Sequence, residues 1–235
     1  MFLLSHLISQ QAFIVDNFLD GQQTITPKLI RCLNFLSKTI PEVARNAHPL
    51  ANILLKNLYE RFYSALEDER AFWGSPVEDL ISHDHHKFLM NDDTYTTMAV
   101  NKVALWEIVP HICTDGAICD AEDAVSVLRE MAVTNQLFDD MTDWRVDIEK
   151  CQFTHWTGRL MKVTGAEHPE ELLKAYDSAA ASREVVIQLK QMDEHAHAIE
   201  NKTAALGLVQ LWEWFKTTRI DKIRTLLRQL DGNPS

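Results

Sequence analysis

A single all-α domain is the fold class this sequence predicts, on three observations. Only 7 Gly and 7 Pro punctuate 235 residues, too few for a loop-rich sandwich or a linker protein. Hydrophobic residues make up 46% and charged residues 24%, which excludes a disordered chain. Apolar residues recur at helical spacing along most of the chain. From Phe2 to Leu19 the residues Phe2, Leu3, Leu7, Phe13, Ile14, Phe18 and Leu19 share one broad stripe, which Asp20-Gly21 ends. Thr26-Pro27 opens a second helix, with Pro at the first helical position, that carries Leu29, Ile30, Leu33, Phe35 and Leu36 as far as Pro41. A third runs from about Pro49 through Arg70 with Leu54, Leu55, Leu58, Phe62 and Leu66 buried, before the break at Gly74-Ser75-Pro76. Asp92-Asp93-Thr94 caps a stretch through His111, and Ala121 begins an unbroken pattern to about Lys150. Glu167 to His197 and Lys202 to Gln229 supply two more helices. The domain covers residues 1–230, and 231–235 form a frayed tail.

Lys and Arg number 23 against 34 Asp and Glu, a formal charge of -11 that repels nucleic acid and anionic membranes. Cys32, Cys113, Cys119 and Cys151 form no Cys-x-x-Cys pair, so free thiols and a cytoplasmic location are expected. The apolar start has no basic flank and no run reaches about 18 apolar residues, so neither a signal peptide nor a transmembrane segment is expected.

The chemistry concentrates in Asn135-Gln136-Leu137-Phe138-Asp139-Asp140-Met141-Thr142-Asp143-Trp144, within a helix whose upstream half is apolar. Gln136, Asp140, Asp143 and Asp147 follow at i, i+4, i+7 and i+11, one polar line, with Asp139 beside Asp143. Most acidic runs are solvated helix faces; here Phe138, Met141 and Trp144 interleave with the acids and leave little room for one. Carboxylates gathered toward an interior repel one another unless a cation resolves the conflict, and magnesium suits an all-oxygen site that also holds phosphate.

The string Gln136 to Asp143 resembles the second aspartate-rich motif of the trans-isoprenyl diphosphate synthases, which share a superfamily with the class I terpene synthases, although the Asn-Asp/Ser-Glu second motif of typical terpene cyclases is absent. The resemblance implies an isoprenoid-synthase helical bundle, and the fifteen residues ahead of Asp16 imply either a domain trimmed before its first motif or a fragment of a longer chain. It implies that Asp16-Asn17-Phe18-Leu19-Asp20 is the first motif, and that Asp16, Asp20, Asp139, Asp140 and Asp143 hold three Mg2+ ions with a bound diphosphate. Asn101-Lys102-Val103-Ala104, with its lysine 37 residues before Asp139, resembles the family segment whose lysine contacts diphosphate. Gln136, Asp147 and Lys150 join Lys102 as candidate substrate-binding residues, and Phe13 and Phe18, with Trp106, Phe138 and Trp212, as aromatic faces for a cation.

The implied reaction is ionisation of an allylic prenyl diphosphate of ten to twenty carbons, then cyclisation or elimination. Capture of the cation by a second substrate is the alternative, and a catalytically inactive partner subunit of the same fold is another. Gly21-Gln22-Gln23-Thr24 stands where chain-elongating relatives carry paired arginines, which weighs against condensation with isopentenyl diphosphate. Asn17 and Cys151 also depart from the family pattern, and dimers are common among similar proteins, which admits a homodimer. A separate reading takes His83-Asp84-His85-His86 and Glu194-x-x-His197 as nitrogen ligands of a di-iron bundle, which requires two Glu-x-x-His motifs where the chain has one.

Overall fold

The computed structural model describes residues 2–19, 24, 26–47, 51–74, 89–113, 120–175 and 178–231. Among these every regular element is helical. The chain gathers into two compact units. Unit one comprises residues 1–66 and 101–126, and unit two residues 67–100 and 127–235.

In unit one, α1 (Phe2–Leu19) packs on α2 (Pro27–Ala47) and on a 3-10 turn at Ala104–Glu107. Leu7, Ile8, Leu36, Ile40, Ala44, Leu55 and Leu58 form its core, the last two from α3 (Ala51–Trp73). Helix α2 does not stop at Pro41 as the sequence suggests; it continues to Ala47. Proline removes one helical hydrogen bond, but Ile40 and Ala44, both fully buried at i and i+4, anchor the turn on either side of it.

The helix α6 (Ala121–Glu149), whose bounds match the sequence reading, starts in unit one, where Asp120 Oδ1 accepts the Glu122 amide at 3.0 Å as a cap, and from Val127 onward it belongs to unit two. The core of unit two draws Val127, Met131, Leu137, Phe138 and Trp144 from this helix. α7 (His155–Thr164) packs on α8 (Pro169–Ala175) and on α9 (Ala179–Ala205), and α9 in turn on α10 (Val209–Phe215) and α11 (Asp221–Asp231). The two helices expected over 167–197 and 202–229 are therefore differently divided. Ser178 caps α9, accepting the Ala181 amide at 3.2 Å, and Gly207, at φ 72°, lies just beyond its end.

The stretch expected to be one helix from Asp93 to His111 is also divided. α4 (Asp93–Lys102) gives way at Val103 to the 3-10 turn, then to α5 (Ile108–Cys113). The break turns Glu107 inward, where its carboxylate takes the Arg61 guanidinium at 2.7 and 2.8 Å; the same guanidinium holds Asn101 Oδ1 at 2.9 Å. No helix among the described residues is long and apolar enough to cross a membrane.

Candidate functional site

The acids of the Asp-rich segment divide among three environments in unit two. Asp140 is the buried one, 5% exposed. Gln136 Nε2, one turn earlier on the same helix, donates to its Oδ1 at 2.7 Å. Tyr95 Oη, from α4, donates to its Oδ2 at 3.1 Å. Asp139 faces elsewhere: Asn135 Nδ2 donates to it at 2.9 Å and Arg219 approaches its Oδ1 at 3.4 Å. Asp143 is exposed and Asp147 half-buried, so the polar line anticipated from helical spacing runs from interior to surface.

Arg219 belongs to a single π-helical stretch, Lys216–Ile220, between α10 and α11. Thr217 and Thr218 hydroxyls donate back to the carbonyls of Glu213, Trp214 and Phe215, the groups that an extra residue in the turn sets out of helical register. The Arg219 side chain reaches Asn135 Oδ1 and lies 6.0 Å from the Phe138 ring centre, so the Phe138 face already has a cation over it.

Asp140 opens onto a cavity of about 600 Å³ within unit two. The C-terminal end of α3 contributes Asp68, Glu69, Phe72 and Trp73 to its wall, and the first turns of α4 contribute Asp93 and Met98. Phe153, Thr154 and His155 close it from the start of α7. Thr154 is the α7 N-cap, accepting the Thr157 amide at 3.3 Å, and this fixes His155 in the first turn. The His155 ring stacks on Phe72 with centres 4.1 Å apart and planes 6° apart, and meets Tyr95 edge-on at 5.3 Å. Burial, followed by the charges of Asp140, Glu69 and Asp139, pushes the Tyr95 phenol well above its ordinary value, so it stays a neutral donor.

The remaining sequence candidates lie apart from this cavity wall or outside the described side chains. Asp16 lies in the last turn of α1, its side chain and that of Phe18 outside the described residues, as is Asp20. Phe13 is 61% exposed. Lys102 is half-buried at the end of α4, and Lys150 is exposed, beside Cys151 at φ 56°. The backbone there adopts the left-handed form that favours glycine. Trp106 is exposed, and Trp212 is buried, its Nε1 donating to Glu200 Oε1 at 3.1 Å. Of the histidines in the di-iron reading, His83, His85 and His86 are outside the described residues, while His197 Nδ1 lies 2.7 Å from the Asp193 carbonyl.

Sequence reasoning missed Asp68, Glu69, Phe72, Trp73, Asp93, Tyr95 and His155. One signal was available: Glu67-Asp68-Glu69 lies just ahead of Phe72-Trp73 at a helix end marked by Gly74, an acidic run joined to an aromatic pair. No protein-family model, curated protein or solved structure matches this chain.

Proposed function

We propose that the cavity over Asp140 binds a prenyl diphosphate together with magnesium and ionises it, releasing diphosphate, after which the cation cyclises or eliminates a proton. The observation that carries this reading is that the one buried carboxylate of the Asp-rich segment opens onto a hollow with aromatic walls and further carboxylates. The donor chemistry suits a hard cation, since Asp68, Glu69, Asp93 and Asp140 offer oxygen. Among the described residues no group of three His, Cys, Asp or Glu side chains could hold an ion unaided. Magnesium characteristically binds through one or two carboxylates, water and the phosphates of a ligand, so these residues fit a magnesium-diphosphate complex rather than a bare ion.

On this reading Asp140 would hold the metal together with the phosphates of the ligand, and bound magnesium supplies positive charge to the departing diphosphate. Phe72, Trp73 and Phe153 line the cavity and would exclude water from the hydrocarbon. When the allylic carbon-oxygen bond breaks, its electron pair leaves with the diphosphate; the carbon skeleton then closes on its own double bond or loses a proton. Within unit two the carboxylates sharing Asp140's cavity take the role that the resemblance gives to Asp16 and Asp20. Lys102, Lys150, Asp139, Asp143 and Asp147 remain candidates for diphosphate contact.

The test is magnesium-dependent release of pyrophosphate from geranyl, farnesyl and geranylgeranyl diphosphates, with and without isopentenyl diphosphate. Release from a single substrate with a hydrocarbon product is expected, lowered on the order of a hundredfold or more by Asp140→Asn and by Glu69→Gln. Asp16→Asn, assayed alongside, discriminates the two assignments of the second acidic arm. Absence of release from every substrate overturns the reading. It would favour the inactive partner-subunit alternative, which draws support from the engagement of Asp139 by Arg219 and Asn135.

A further inference from the structure

We infer that Tyr95 is a positioning residue for Asp140, its hydroxyl fixing the carboxylate that the cavity presents to a magnesium-diphosphate ligand. The inference rests on the function proposed above and adds to it a residue that never touches the ligand. Its ground is how thoroughly the phenol is itself immobilised. Asp92 Oδ1 accepts the Thr94 and Tyr95 amides at 2.9 and 3.0 Å, capping α4 and fixing the Tyr95 backbone. The side chain is completely buried and its ring is held edge-on by His155, which stacks in turn on Phe72.

Gln136 alone would not orient Asp140, because a donor from one turn earlier on the same helix leaves the carboxylate free to swing about its own side-chain bonds. A second donor from a different helix closes that freedom. With Gln136 on Oδ1 and Tyr95 on Oδ2, the two carboxylate oxygens accept from donors on two different helices. Any acceptor would satisfy a buried tyrosine hydroxyl. Here the acceptor is the buried carboxylate on the cavity wall, which is the arrangement by which outer groups set the direction of a metal ligand.

The experiment uses the full chain, Mn2+ as a spectroscopic stand-in for magnesium, and inorganic pyrophosphate, with bound Mn2+ followed by electron paramagnetic resonance. Tyr95→Phe keeps the ring and removes the hydroxyl. It should weaken pyrophosphate-dependent Mn2+ binding about tenfold or more. Tyr59→Phe is the matched control, since it deletes another largely buried tyrosine hydroxyl that donates to a side chain, Gln11, in unit one. It should leave binding unchanged. Equal binding by wild type and Tyr95→Phe overturns the inference while leaving the proposed function standing, as does equal weakening by Tyr59→Phe. No binding by wild type overturns the proposed function and the inference with it. Should Tyr95→Phe fail to fold, 3-fluorotyrosine at position 95, a stronger donor of nearly the same shape, should change the Mn2+ affinity relative to wild type. Unchanged affinity there also overturns the inference.

Discussion

Tyr95, Tyr59 and Tyr63 share a thermodynamic consequence. Burial pushes all three phenols up from the ordinary value of 10, with neighbouring charge adding to it for Tyr95 and for Tyr59. Below pH 10 both folded and unfolded chains keep these protons, and the stabilisation is fully present. Above pH 10 the unfolded chain releases protons the folded chain retains, so stability should fall as pH rises. Thermal melts from about pH 9 to 11 should record a declining melting temperature, with a shallower decline in Tyr95→Phe. A second residue-scale prediction concerns Cys151, exposed and held at φ 56°. A side chain in that region is strained by about 1 kcal/mol, so Cys151→Gly should raise the urea midpoint modestly. The sequence hinted at this position through a resemblance alone, because the conformation of one residue after a helix is set by where the next segment must go.

At the scale of the element, the Arg61–Glu107 pair holds the broken stretch after α4 against α3. Glu107 is 2% exposed, so Arg61→Met would leave a buried carboxylate without its guanidinium and should cost about 3 kcal/mol or more, read by urea unfolding. Gly165 ends α7 at φ 73° with open space where a Cβ would stand. Gly165→Ala should therefore cost about 1 kcal/mol through the backbone alone. These elements also mark how far the sequence could be read. α1 and α6 were legible almost to the residue because a continuous apolar pattern coincided with start or stop signals. The split of 93–113 was not, because it follows from Glu107 turning inward to an arginine 46 positions away in the chain, a pairing no local pattern encodes. Likewise Ser178 was hidden as a cap because the alanines that follow it, and Ala175 before it, favour a helix on either side.

For the whole molecule, the sequence was legible as helical and acidic, and the Asp-rich segment as the chemical centre. The partners of that segment were not, since Tyr95, His155 and Glu69 reach Asp140's surroundings from three other helices. Each core draws on two separate stretches of chain, an arrangement invisible to reading by windows. The charge of -11 belongs to this scale too. Self-repulsion of so many carboxylates opposes compaction and is screened by salt, so raising ionic strength from low to physiological should raise the melting temperature.

The π-helical stretch before α11 amounts to a single surplus residue in an otherwise continuous rod, and it sets the angular phase of everything downstream. Removing Thr218 would let the rod close into ordinary winding, rotating Arg219, Ile220 and the α11 face together by roughly a quarter turn relative to α10. A deletion of one amino acid would then release Asp139 from its guanidinium without touching the aspartate itself. The fold thus has, written into one insertion, a means of changing how many of its acids are spoken for.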